Sequence, residues 1–431
     1  MRLRILPALS LLVLVCALLS GCTSPSQAPL KDIHAPASQQ VITIPALVPL
    51  TGDTKAYGET EAVALKQAET DINRYYQSIG APYRVVVNIS NTNGDPKTTR
   101  GLAENIHEMG GNIIIGYFCS AELAELKPFT DKNGILVIST GSTSPDLAVM
   151  NDSIFRLISD DTSQAKAMGY YLAHENINAV VPVWRDDIWG KGLKNAVSKA
   201  ISRNGGVMVE GVSYVPGTVS FNKTVSDLDV QAGALIADYG AENSGIYVIS
   251  FNEVPAIMDA AKNMPNLSRI RWFGCDGNLL LPGLTGDTEV SRFAEDAAFS
   301  GTMWGVFRPG TDASQLSAVI RDKTGREPDA EPLAIYDGVW VISSVKVLLP
   351  DAGPEELKRA FVQQARTYNG ASNLLMLNDA GDRAMASYDI WAVKNDTGKP
   401  RWVMIGQFTS QPDGGVEFNW ISDNLTRARA G

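Results

Sequence analysis

Five small residues, Thr140, Gly141, Ser142, Thr143 and Ser144, follow directly on the apolar run Ile135 to Ile138 in the stretch GILVISTGSTSPDL. A buried strand that ends in hydroxyls and a glycine leaves its backbone open. In open α/β sheets, ligands sit beyond the carboxyl ends of strands, where loops meet helix N-termini. Gly141 lets a ligand approach the backbone, Ser142 is small, and Thr143 offers an N–H and a hydroxyl. The segment therefore reads as a neutral nest for a carboxylate, with a simple Ser/Thr-rich turn as the alternative. IIIGYFCSAE has the same character: a strand ends at Phe118, Cys119 and Ser120, and Ser120 is placed to cap the helix that follows. In RWFGCDGN a strand ends at Gly274 and sets Asp276 among small or soft residues. Its carboxylate can hold an ammonium there; capping the next helix is the competing role. FNEV follows another strand end and offers Asn252 and Glu253. Tyr57, Phe118 and Trp189 stand near such ends as candidates to wall an apolar side chain, against ordinary core packing.

Signatures of catalysis do not accompany these groups. The chain has no GxxxxGK[ST] phosphate loop and no GxSxG elbow. GKGLKN, from Gly190, lacks the third glycine of a dinucleotide fingerprint. His34, His107 and His174 are far apart, and none has an i,i+4 partner for a metal. The adjacent acids Asp160–Asp161 and Asp186–Asp187 point in different directions and read as loop or helix-cap groups. The expectation is a protein without metal, cofactor or catalytic residues.

The elements that must position the candidates alternate. VITIPALVPL, YRVVVNIS, NIIIGYF, NAVVPVW, GVMVEGVSYV, SGIYVIS and RIRWFG read as strands. ETEAVALKQAETDINRYY is helical, with Ala62, Leu65, Ala68, Ile72 and Tyr75 on its apolar face. Asp95–Pro96 supplies an N-cap and an N1 proline for a helix burying Leu102, Ile106 and Met109. DTSQAKAMGYYLAHE and GKGLKNAVSKAISRNGG are further helices. Strands alternating with helices argue for βαβ units and parallel sheets, and so many strands argue for two α/β lobes.

The chain has 431 residues, 45% hydrophobic and 19% charged, with a net charge of −10. An acidic protein is a poor partner for nucleic acid or an anionic membrane surface. Arg2 and Arg4, the apolar run ILPALSLLVLVCALL and LSGC at Cys22 read as an export signal, since the run is shorter than the roughly 20 residues that span a bilayer. LSGC resembles a lipobox, which would put a lipid on Cys22; an ordinary signal peptide is the alternative. Residues 23–40, rich in Ser, Pro, Ala and Gln, read as a flexible tether. Cys119 and Cys275 are expected as two separate buried thiols, with pairing the alternative.

Taken in order, VPLTGDTKAYG, GDPKTT, IIGYFCSAE, GILVISTGSTSPDL, FRLISDDTSQ, DDIWGKGL, FGCDG and AIYDGVW resemble the substrate-binding proteins of branched-chain amino acid transporters. The resemblance covers about Ile42 to Val393. It implies two Rossmann-like lobes with parallel sheets, joined by a three-strand hinge and closing on a ligand in the cleft. With 1–21 read as a signal peptide and 22–40 as a lipid-anchored tether, the lobes are expected over 41–160 with 305–384 (lobe 1) and 161–304 with 385–431 (lobe 2). Ser120, Gly141 and Thr143 match the lobe-1 groups that hold the amino acid, and Asp276 matches the acid that grips its ammonium. Trp189 stands where the family commonly has a Tyr, Tyr57 matches a pocket-lining aromatic, and Asn252 lies in a loop that departs from the usual pattern; Ser142 and Phe118 remain candidates from their place at the strand ends. Asp276 is shorter than the Glu often found there. Gly94 stands where some members have a cysteine that bridges to the Cys119 position, which leaves Cys119 unpaired. The implied protein is a monomeric, extracytoplasmic lipoprotein that hands a small-molecule ligand to ABC permease subunits. Binding of amides, urea or aromatic acids, a sensory role, or more distantly amide hydrolysis, are the alternatives.

Overall fold

The computed structural model describes residues 39–306, 309–395, 398–410 and 415–421. The export signal, Cys22 and almost all of the tether lie outside them. The first five strands, β1 (Gln40–Val48), β2 (Tyr83–Asn91), β3 (Ile113–Gly116), β4 (Leu136–Ser139) and β5 (Ile154–Arg156), form one sheet in the order β2-β1-β3-β4-β5, parallel throughout. All four residues of β3 (IIIG) and of β4 (LVIS) are buried, because helices cover both faces. On one face lie α2 (Pro96–Glu108) and α3 (Ser120–Asn133), and Leu47, Ile106, Ile114, Leu123 and Val137 pack together there.

On the other face lies α1 (Lys55–Ser78), which buries Leu65, Ala68, Ile72 and Tyr76. Two expected core positions turn outward. Tyr75 is exposed and Tyr76 takes its place, while Met109, at the C-cap of α2, is 80% exposed. Asp95 does cap α2, accepting from the Thr98 N–H at 2.7 Å, with Pro96 in the first turn.

The second sheet contains β6 (Ala179–Arg185), β7 (Val207–Met208), β8 (Val212–Tyr214), β9 (Ser244–Ile249), β10 (Arg271–Gly274) and β11 (Ser300–Trp304). GVMVEGVSYV, read as one strand, forms two short ones, β7 and β8, which both run along β6. The helices between them are α4 (Asp161–His174), α5 (Ile188–Arg203), α6 (Asn222–Tyr239), α7 (Val254–Ala261) and α8 (Glu289–Asp296). Gly190 is required where α5 starts: a Cβ there would lie 2.0 Å from the Arg185 carbonyl oxygen. That close helix–strand approach explains the glycine without a nucleotide.

The chain then returns to the first sheet. α9 (Thr311–Thr324), α10 (Glu331–Leu348) and α11 (Pro354–Thr367) follow, with α10 lying on α1, β1 and β3 and α11 on β4. After the short pair β12 (Asn369–Gly370) and β13 (Asn373–Leu374), β14 (Ala386–Lys394), β15 (Arg401–Ser410) and β16 (Val416–Trp420) complete the second sheet. These last three pair antiparallel, so the second sheet is mixed rather than parallel. Successive strands joined by short connections pair that way. The chain thus passes between the two sheets three times: from β5 to α4, from β11 to α9, and from residue 383 to β14.

Candidate functional site

The loops at the carboxyl ends of both sheets meet, and a first link between them is made by Tyr57. Its hydroxyl donates to the Asp276 carbonyl oxygen at 3.0 Å, joining α1 beside the first sheet to the loop after β10 in the second. The Tyr57 ring stacks on Tyr117, centroids 5.4 Å apart and planes 9° apart. Where these loops meet, the Ser144 hydroxyl donates to the Ile188 carbonyl at 3.2 Å.

The small-residue loop is drawn inward. Ser120 Oγ accepts from the Ser144 N–H and from the Ser142 hydroxyl, each at 3.2 Å, so the two strand ends form one hydroxyl cluster. Ser120 is not the cap of α3. That position is Cys119, whose N–H is held by Glu122 at 2.9 Å, and this leaves the Ser120 side chain free to face Ser142. Thr143 is buried, its carbonyl accepting from the Asp161 N–H at 2.8 Å and its hydroxyl beside the Asp161 carboxyl. The group that approaches Gly141 is Tyr117: a Cβ at Gly141 would lie 2.7 Å from that ring. Arg156 holds the loop from below, donating to the Ser144 carbonyl at 2.8 Å and to the Ser142 carbonyl at 3.3 Å. Its other face is bound by Asp382 at 2.5 and 2.6 Å, on the third chain crossing.

Phe118 is not part of this cluster. Its ring is buried with Leu47, Ile114 and Leu123 between the first sheet and α2 and α3, because successive residues leaving β3 turn to opposite faces. The aromatic turned to the cleft is its neighbour Tyr117. Asn252 is exposed as well, one residue beyond Phe251. Phe251 stacks on Trp189 with centroids 4.4 Å apart, and Trp189 in turn lies against Gly277, where a Cβ would be 2.5 Å from the indole. Glu253 is tied to Arg185 in an ion pair rather than turned to the cleft.

Asp276 is buried, its Oδ1 accepting from the Gly277 N–H at 2.9 Å. It caps no helix. Burial pushes its carboxyl up to about 6. It does not stand alone. Asp161, at the first turn of α4, is fully buried, and burial followed by repulsion from Asp276 raises it well above the usual range. Gln164 links the two, donating to Asp161 and accepting from the Asp276 N–H, each at 3.3 Å. Of the DD pair, Asp160 is the cap, accepting from the Thr162 N–H at 3.0 Å, while Asp161 turns inward.

A second acidic group comes from the first half of the cleft. Glu331, opening α10, is raised by burial and then by Asp329, Glu61 and Asp276. Burial pushes Asp329 up to about 6. Glu61 is fully buried and accepts from the Thr140 hydroxyl at 2.6 Å. Sequence reasoning missed Tyr117, Arg156, Asp161, Gln164, Glu61 and Glu331. Of these, Glu61 carried a signal: a charge on the apolar stripe of α1, three residues before Ala64 and four before Leu65. Cys119 and Cys275 are both buried and free. Among the described residues, no three His, Cys, Asp or Glu are grouped to hold a metal, and no helix is long and apolar enough to cross a membrane.

Two α/β halves joined by three chain crossings give the fold of the type I periplasmic binding proteins. The chain belongs to the receptor family ligand binding region, whose model matches residues 60–396. It is 23% identical over 355 residues to the leucine-, isoleucine-, valine-, threonine-, and alanine-binding protein of Pseudomonas aeruginosa, covering 81% of this chain and 88% of that one. It is 25% identical over 422 residues to an uncharacterized protein of Methanocaldococcus jannaschii, covering 93% and 96%. The fold is similar to the leucine binding protein LivK of Thermotoga maritima, with TM-score 0.67, 19% identity, and 86% and 99% covered. It is also similar to a solute binding protein from R. palustris in complex with 4-hydroxybenzoate, with TM-score 0.70, 14% identity, and 87% and 98% covered.

Proposed function

We propose that this protein is an extracytoplasmic lipoprotein, anchored through Cys22, that captures an amino acid in the cleft and delivers it to an ABC importer. The observation that carries the reading is Asp276: a buried carboxyl on the second half, linked through Tyr57 to the half that bears the Ser120–Thr143 hydroxyls. A zwitterion fits that polarity, its ammonium at Asp276 and its carboxylate at the main-chain and hydroxyl donors of Ser120, Gly141, Ser142 and Thr143. Hydrogen bonds to such charged groups contribute about 1.5–3 kcal/mol each. Trp189, Tyr57 and Tyr117 wall the remainder.

The amino acids named for the Pseudomonas aeruginosa relative support the solute class. In this reading lobe 1 (41–160 and 305–384) and lobe 2 (161–304 and 385–431) close on the solute as rigid bodies, and the importer reads the closed shape. The R. palustris neighbour with 4-hydroxybenzoate, together with the stacked tyrosines, favours an aromatic acid as the second reading. The buried carboxyls weigh against an anion that brings no ammonium. Titration calorimetry of Asp276→Asn against a panel of the proteinogenic amino acids tests the proposal. The expected result is a loss of about tenfold or more for whichever amino acid binds the native protein. Unchanged affinity refutes the assignment of Asp276.

A further inference from the structure

The acids of the cleft outnumber what one ammonium neutralises. Five carboxyls are chained together: Asp276 acts on Asp161, and Asp276, Asp329 and Glu61 act on Glu331. Against them stands Arg326, which lies over the Tyr57 ring at 5.8 Å and donates to the Ala56 carbonyl. The other nearby cation, Arg156, is engaged by Asp382.

Two of the acids each keep a buried carboxylate oxygen without a partner among the described residues: Glu331 Oε2 and Glu61 Oε2. Both residues are at most 5% exposed. A buried carboxylate oxygen with no donor costs several kcal/mol unless a proton or a cation reaches it. The acids fall into two groups. Asp161, with the Thr143 hydroxyl beside it, is near Asp276 on the second half; Glu331, whose N–H donates to Asp329 at 2.8 Å, is near Glu61 on the first. The stacked pair Tyr57 and Tyr117 lies within the influence of both Glu331 and Asp276, and aromatic faces favour cations. Among the described residues the acids are not grouped to chelate a metal; the partners left for them are protons or an organic cation that displaces those protons.

We propose that the solute carries two separate cationic nitrogen groups, one held by Asp276 with Asp161 and the other by Glu331 with Asp329 and Glu61. A basic amino acid and an aliphatic diamine share this chemistry. The inference rests on the reading of the cleft as the solute site, and it replaces an apolar side chain with a charged one. An amino acid with an aliphatic side chain would leave the three carboxyls of the Glu331 group with Arg326 alone.

Titration calorimetry of the native protein with L-lysine, L-arginine, cadaverine and L-leucine at pH 7.5 tests it. The expected result is that at least one of the three solutes with two cationic groups binds about tenfold or more tightly than leucine. Lysine or arginine above cadaverine means that the hydroxyl cluster holds a carboxylate; cadaverine at least as tight means that it does not, and both outcomes support the second cationic site. Glu331→Gln, and independently Asp329→Asn, shrink that margin. If leucine binds as tightly as the three solutes with two cationic groups, or if both variants keep the margin, the second site is overturned while the cleft reading stands. If none of the four binds, or if Asp276→Asn leaves binding untouched, the cleft reading falls with it.

Discussion

Replacing Arg156 by Met removes the cation that ties the small-residue loop to the third chain crossing. Arg156 is fully buried and Asp382 is 2% exposed, with paired hydrogen bonds of 2.5 and 2.6 Å between them. A buried ion pair adds little over a well-packed apolar pair, but breaking one by removing a single partner costs about 3–5 kcal/mol, because the other charge stays buried. Asp382 limits that cost by taking up a proton. Burial already pushes its carboxyl up, and Arg156 holds it down. With Arg156 gone only the upward push remains. The folded variant then binds more protons than its unfolded chain, so its deficit is largest near pH 8 and shrinks as pH falls through the raised carboxyl range. Asp382→Asn in the same chain removes the stranded charge and restores part of the loss. Urea unfolding of Arg156→Met, Asp382→Asn and the double variant, at pH 5.5 and pH 8, measures this. The coupling between the two sites should exceed about 1 kcal/mol at pH 8 and fall at pH 5.5. Additive single variants, or a deficit that grows toward low pH, would refute the reasoning.

The alternation of strands and helices was legible because β3 and β4 are continuous apolar runs and the helices between strands carry caps such as Asp95 and Asp160. The antiparallel strands β14 to β16 were not, since long-range pairing leaves no local mark beyond alternation. Of the candidate residues, Ser120, Gly141, Ser142, Thr143, Trp189, Tyr57 and Asp276 lie at strand ends or helix starts, where punctuation in the sequence put them. Phe118 and Tyr117 show the limit: adjacent aromatics leaving one strand go to opposite faces, and only the packing of Leu47, Ile114 and Leu123 decides which is core. Asp160 and Asp161 repeat the lesson at a helix start, one capping and one buried. Glu331 was illegible for another reason. An acid in the first turn of a helix is favourable in itself, so nothing in the sequence distinguishes a dipole partner from a buried ligand group.

Two further outcomes follow from the same groups. Tyr57→Phe keeps the stack on Tyr117 but removes the 3.0 Å bond to the Asp276 carbonyl, which joins the two halves. Solute affinity should fall by a factor of about 2–13, the equivalent of 0.5–1.5 kcal/mol, while the urea midpoint of the solute-free protein changes little; equal affinity would mean that the bond does not contribute to closure. The solute-free protein should also lose stability as pH rises from 5 to 7.5. Asp276 and Asp329 are pushed to about 6 in the folded chain, as are Asp337 and Asp389 elsewhere in the core, all by burial. Unfolded carboxyls titrate near about 4. Between those values the folded chain holds more protons than the unfolded one, so the slope of stability with pH is negative. A cation entering the cleft should expel those protons, and calorimetry at pH 5.5 in two buffers of different ionisation heat should record their release. A urea midpoint that is flat or rises over this range, or binding without proton release, would mean that the cleft acids are already ionised and neutralised from within the protein.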